Sequence, residues 1–197
     1  MAYTEVPTQL EGVEIRDFYG IKDAVRYQER IKKVAGADGI QADGQYDYRY
    51  DAARFCKKTF AQDAVFDEDE LVFWFDADCV IKKDIPESVL AGMLEGVALA
   101  YMGRGREKSY AAYTETGFVG FNTKHEDFPV FRSRYLSFFT TGKIFQQIIG
   151  WHDCIAFDEA RKGLRTRNIS PRGKGMQPVI QDTVIGEYVD QDRKSVV

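Results

Sequence analysis

Histidine is scarce in this chain. Only His125 and His152 occur in 197 residues, which excludes a site built from several histidines. Cysteine is almost as sparse. Cys56, Cys79 and Cys154 are odd in number and scattered, so they read as reduced thiols of a cytoplasmic protein, not as a disulfide frame. No Cys/His spacing suggests zinc. No apolar run approaches the roughly 20 residues of a membrane span. The start, Met1-Ala2-Tyr3-Thr4-Glu5, lacks the basic and apolar regions of a secretory signal. Positive charge is not in excess either. Lys and Arg total 27 against 31 Asp and Glu, a net charge of −4, so no nucleic-acid partner is expected. Local basic character is confined to places such as Arg161 to Arg172.

Apolar residues make up 44% and aromatics 14% of the chain, which is enough for one domain with a sizeable core. The most informative stretch is Leu71-Val72-Phe73-Trp74-Phe75-Asp76-Ala77-Asp78-Cys79-Val80. Five apolar residues in a row predict a strand buried on both faces and central in its sheet. Two carboxylates one residue apart close it. In an extended segment they point the same way and repel. A hard divalent cation relieves that repulsion. The bland alternative is a polar strand end with two solvated aspartates.

Along the rest of the chain, residues 1–12 read as loosely structured and Val13-Glu14-Ile15 as a short strand. Asp17 offers a helix N-cap, with Ile21, Val25, Ile31 and Val34 marking one side of the helix. Asp51 caps a second helix whose stripe is Ala52, Phe55, Cys56, Thr59 and Phe60. Pro86-Glu87 starts a short helix that Gly96 ends. Val97 to Met102 and Gly117 to Asn122 predict further strands, the latter with two glycines that permit close backbone approach. Glu126 to Phe139 and Trp151 to Arg161 predict helices, with Phe128, Phe131, Tyr135, Phe138 and Phe139 in the core. The segments 103–113 and 166–175 read as loops, the second basic. Interleaved strands and helices predict an α/β domain with a mixed, mostly parallel sheet flanked by helices.

The ordered segments resemble a GT-A type nucleotide-sugar glycosyltransferase, a Rossmann-like fold. Tyr48 to Ala61 is similar to the helix before the metal strand of that family. Phe73-Trp74-Phe75-Asp76-Ala77-Asp78, followed by Val80-Ile81-Lys82-Lys83-Asp84-Ile85-Pro86, is similar to its D-x-D strand and exit. Thr114 to Asn122 resembles the later acceptor-side strand, and Gly150-Trp151-His152-Asp153 falls where an acidic residue lies near the reacting sugar. The likeness covers roughly residues 45–160. It divides a single domain, 1–197, into a shortened N-terminal part (1–45), a D-x-D core (46–125) and acceptor-side helices with a tail (126–197). Two departures stand out. The nucleotide-binding start is short, and the late histidine that many relatives use on the metal is missing. Asp190, Gln191 and Asp192 are the candidate oxygen ligands in its place.

The resemblance implies Mn²⁺ or Mg²⁺ held by Asp76 and Asp78 against a nucleotide-sugar diphosphate, with Asp78 as the direct ligand and Asp76 reaching ribose or a metal-bound water. It implies Arg54 and Lys58 as donor-binding cations, although an exposed basic helix face explains them as simply. Glu115 and Asp153 are the catalytic candidates. Glu115 would orient sugar or acceptor, and Asp153 would do so or act as general base. A helix N-terminal aspartate explains Asp153 equally well. Trp151 is a candidate sugar platform or a core aromatic. The acceptor is a saccharide or another hydroxyl compound. Two other readings stay open. Asp76-Ala77-Asp78-Cys79-Val80 also fits the first motif of a haloacid-dehalogenase-like phosphatase, with Asp76 as nucleophile and Asp78 as acid/base. The short start also suits a truncated, non-catalytic relative that binds a sugar or a partner.

Overall fold

A computed structural model describes residues 1–6, 8–9, 11–103, 114–170 and 180–191. In chain order its elements are β1 (Ala2–Thr4), β2 (Ile15–Asp17), α1 (Lys22–Ile31), α2 (Ala52–Asp63), β3 (Leu71–Phe75), β4 (Cys79–Ile81) and α3 (Glu87–Leu94). There follow β5 (Leu99–Met102), β6 (Glu115–Asn122), α4 (Phe128–Thr140), α5 (Asp153–Ala160), β7 (Thr166–Asn168) and β8 (Val189–Gln191). The architecture is mixed α/β. No helix among the described residues is long and apolar enough to cross a membrane. The chain divides into two compact units. The first holds Met1–Val65 with Arg134–Ala156, the second Phe66–Ser133 with Phe157–Val197.

In the first unit the start of the chain is not loose: β1 pairs in parallel with β2, Ala2 opposite Ile15. Asp17 does cap, but it caps a single 3-10 turn at Phe18–Gly20, its Oδ1 accepting from Tyr19 N at 2.9 Å. The helix α1 then starts at Lys22 and buries Ala24, Tyr27 and Ile31. That stripe differs from the expected one because the helix stops at Ile31, which leaves Val34 36% exposed. Asp51 caps α2 as expected, Oδ1 accepting from Arg54 N at 2.8 Å. Ala52, Cys56, Thr59 and Phe60 of α2 are buried at helical spacing. The Tyr27 ring meets Phe60 and Phe139 with centroids 5.7 Å from each. Arg30 closes the C-terminus of α4 by donating to the carbonyls of Phe139 and Thr140 at 3.0 and 2.6 Å. Burial pushes the Cys56 thiol up to about 12 and also raises the Tyr135 phenol. Tyr135 Oη donates to Gln62 Oε1 at 3.1 Å.

The second unit is built on a four-stranded sheet in the order β3-β6-β5-β7. β6 runs antiparallel to β3 and β5, while β7 is parallel to β5. Three strands therefore share a direction and the sheet is mixed. Side chains alternate across it. Phe73, Phe75, Ala100, Met102 and Phe118 join Leu94, Ile180, Ile185 and Val189 in one cluster. Phe121 packs instead with Phe66, Phe128 and Phe131, centroids 4.8 to 6.4 Å apart. Phe118 is fully buried, so truncation to alanine would cost about 3–5 kcal/mol. Gly120 is required by close approach: a Cβ there would lie 2.8 Å from the Phe73 ring.

Three expectations need correction. β3 is not central. It lies at an end of this sheet, with β6 as its one neighbour among the described residues, and all five of its residues are half-buried. An apolar run reports burial of side chains but not the place of a strand in its sheet. Thr166–Asn168 is strand β7, not loop, because β5 supplies an edge that the sequence alone does not reveal. Phe138 is only half-buried, while Phe128, Phe131, Tyr135 and Phe139 are core. The expected loop 103–113 lies outside the described residues apart from Gly103, as does 171–175 of the other.

Candidate functional site

The acidic strand end is assembled by a turn. After β3, Asp76 N donates to Gly117 O and Cys79 N to Asp76 O, both at 2.9 Å. The chain thus reverses over Ala77 and Asp78 and re-enters as β4. The two carboxylates are placed by this turn, not by the extended alternation that the spacing suggests. Trp74 Nε1 donates to Asp76 Oδ1 at 2.6 Å. β4 pairs antiparallel with β8, Cys79 opposite Gln191. That register brings Gln191 onto Asp78: its Nε2 lies 3.2 Å from both carboxylate oxygens. Gln191 Oε1 is buried and has no hydrogen-bond partner among the described residues.

Gly117 of β6 lies between these groups. A Cβ at that position would stand 2.9 Å from Gln191 Nε2, 3.5 Å from Glu115 Oε1 and 3.6 Å from Asp76 Oδ2. The missing Cβ lets these nitrogen and oxygen atoms close onto the strand. Of the expected site residues, Asp76, Asp78 and Glu115 are therefore brought to one place, joined by Gln191. Asp190 is turned to other partners, its Oδ1 accepting from Gln181 Nε2 and from Gln191 N. Asp192 lies outside the described residues. No trio of ligand atoms closes around Asp76 and Asp78 among the described residues.

The other expected residues belong to the first unit. Lys58 and Asp153 meet each other, Nζ to Oδ2 at 3.2 Å, with side chains 13% and 3% exposed. A buried pair of this kind engages both charges. Asp153 opens α5, as its N-terminal reading expects. His152 is buried with its ring against Phe55, centroids 5.6 Å apart. Among the described residues one trio of metal-ligand atoms lies mutually within 4.8 Å, and it is His152, Asp153 and Cys154. Sequence reasoning missed Cys154; the signal was three consecutive ligand-type residues. Arg54 is exposed on α2 and lines a cleft of about 1050 Å³ with Lys33, Lys57, Asp38 and Asp51. Within that cleft Lys57 is paired with Glu5 at 2.7 Å, which holds the Glu5 carboxyl below its usual range. Trp151 packs edge-to-face with Tyr50 and Phe145, 5.2 and 5.1 Å between centroids, and donates to Gln147 O. Compared with known proteins, the chain matches no family model, no curated protein and no solved structure.

Proposed function

We propose that the second unit binds a divalent cation at Asp76 and Asp78 and uses it to hold the diphosphate of a nucleotide-sugar, in a metal-dependent glycosyl transfer to a hydroxyl acceptor. The observation that carries this reading is the position of Gln191. An amide donor spans both oxygens of Asp78 while its own carbonyl oxygen is buried without a partner. A side chain so placed is half-satisfied, and such a group is costly. Rotation of the amide by half a turn presents Oε1 where Nε2 now lies. The donor set is then oxygen throughout, from Asp76, Asp78 and Gln191 with Glu115 beside them, which suits Mn²⁺ or Mg²⁺. When bound, the ion supplies charge stabilisation for a leaving diphosphate.

The chain's own residues do the rest. Trp74 Nε1 fixes the rotamer of Asp76. The antiparallel β4–β8 register holds Gln191 against Asp78. Glu115, at the start of β6, accepts from Gly117 N at 3.4 Å and is the carboxylate proposed to orient a sugar hydroxyl. The resemblance of the sequence segments to GT-A transferases supports the same class. The test is thermal shift of the full chain with UDP or GDP, with and without Mn²⁺. Stabilisation that requires both, and that Asp78→Ala abolishes, is the expected result. Identical melting with and without Mn²⁺ and nucleotide would eliminate the reading.

A further inference from the structure

We infer that His152, Asp153 and Cys154 form a second, chemically different cation site in the first unit, one selective for a borderline-soft ion such as Zn²⁺. Three observations lead there. The ligand atoms of the three residues converge within 4.8 Å, and they are one nitrogen, one oxygen and one sulfur. That mixed set disfavours Mg²⁺ and suits Zn²⁺, which takes thiolate, imidazole and carboxylate together. His152 and Asp153 are each only 2% exposed, so their positions are set by packing, with the His152 ring held against Phe55. Cys154 is half-buried, which leaves an approach from solvent on its side.

The place already favours positive charge, since the Lys58 ammonium lies 3.2 Å from Asp153 Oδ2. Zn²⁺ enters by exchange. The Cys154 thiol releases its proton to solvent, and thiolate plus carboxylate balance the two charges of the ion. The Lys58 ammonium, no longer needed by Asp153, turns outward through the 13% of its side chain that water reaches. The Cys154 S–H bond is the one covalent bond broken, and a sulfur–zinc bond takes its place.

The experiment is calorimetric titration of the full chain with Zn²⁺, repeated with Co²⁺ under an absorption spectrometer. One ion per chain and a sulfur-to-cobalt charge-transfer band are expected. Cys154→Ser, a conservative change at a half-buried position, should weaken Zn²⁺ at least about tenfold and remove the band, by loss of one of three ligands. Cys79→Ser and Asp78→Ala should leave both intact, which separates this site from the one proposed in the second unit. Lys58→Met, where it folds, should bind Zn²⁺ more tightly because the competing ammonium is gone. No zinc uptake, a cobalt spectrum without the band, or binding lost in Asp78→Ala but kept in Cys154→Ser would each overturn the inference.

Discussion

The candidate aspartates of the two units meet different donors. In the first, carboxylates are consumed by the fold. Asp153 holds Lys58, Asp51 caps α2 while accepting from Tyr46 Oη at 2.9 Å, and Asp17 caps a turn. In the second, Asp76 accepts from an indole and Asp78 from an amide. A neutral donor adds no charge to such a bond, whereas an ammonium does. The contrast teaches how differently a carboxylate can be held. It also teaches what guards the buried one, since an unpaired charge inside costs several kcal/mol.

The largest expected effect breaks the internal pairing. Lys58→Met removes the ammonium from Asp153 at 3% exposure, and the loss should be about 3–5 kcal/mol in urea unfolding. Lys58→Met with Asp153→Asn should recover most of it, because no buried charge remains. A single-variant loss below about 1 kcal/mol would mean that water solvates Asp153, and the contrast between the units would fade. Next in size is a change that leaves the charges alone and crowds the atoms packed on Gly117. Gly117→Ala puts a methyl group 2.9 Å from Gln191 Nε2. Affinity for Mn²⁺ with UDP should fall at least tenfold, about 1.4 kcal/mol. Wild-type affinity in this variant would show that the packing of Gln191 on Gly117 does not matter to the ion.

Parts of this arrangement were legible in the sequence, and the reasons differ from case to case. Asp51 as a cap was readable because capping is local: one side chain, one amide three residues on. The glycines at 117 and 120 were readable as close approaches, because a missing Cβ has few other uses inside a strand. The place of β3 was not readable, since sheet order depends on pairings between distant segments, here 71–75 with 118–122. Asp76 and Asp78 could be named as a pair, but the turn that sets them could not. It depends on Gly117 O, some forty residues away. Gln191 was one of three candidates in the tail. Only the register of β8 on β4 separates it from Asp190. The Lys58–Asp153 pair was invisible for the same reason: each residue had a sufficient local explanation, and their meeting spans nearly half the chain.

A smaller effect tests how fully the first unit spends its carboxylates. Asp51→Ala removes the acceptor for Arg54 N and for Tyr46 Oη together. Loss of a cap costs about 1 kcal/mol, read as a shift in the urea midpoint without a change in slope. Asp51→Asn keeps a capping oxygen and should recover much of that. If Asp51→Ala is neutral, the cap is replaced by water, and the carboxylate is less committed than its bonds suggest.

The smallest expected effect lies in the second unit, where aspartates are paired with cations too: Asp127 with Arg165, Asp158 with Arg161 and Asp67 with Arg132. Arg132 donates to both oxygens of Asp67, at 2.6 and 2.9 Å. Its hydrogen bonds hold the Asp67 carboxyl below the usual range. A carboxyl lowered in the folded state contributes stability above its unfolded pKa, near 3.9, and loses it as pH falls through the folded value. But Asp67 is 78% exposed, so solvent screens the pair and its worth is about 0–1 kcal/mol. Arg132 also packs over the Phe66 ring, 5.8 Å from its centroid, and that contact does not titrate. Comparison of wild type with Asp67→Asn isolates the charge. The difference should be small near neutral pH, vanish in acid below the folded pKa, and shrink in about 1 M salt, where the Debye length is about 3 Å. A difference that survives both acid and salt would show that Asp67 acts through packing. Paired carboxylates on this unit's surface would then say nothing about the bonds at Asp76 and Asp78.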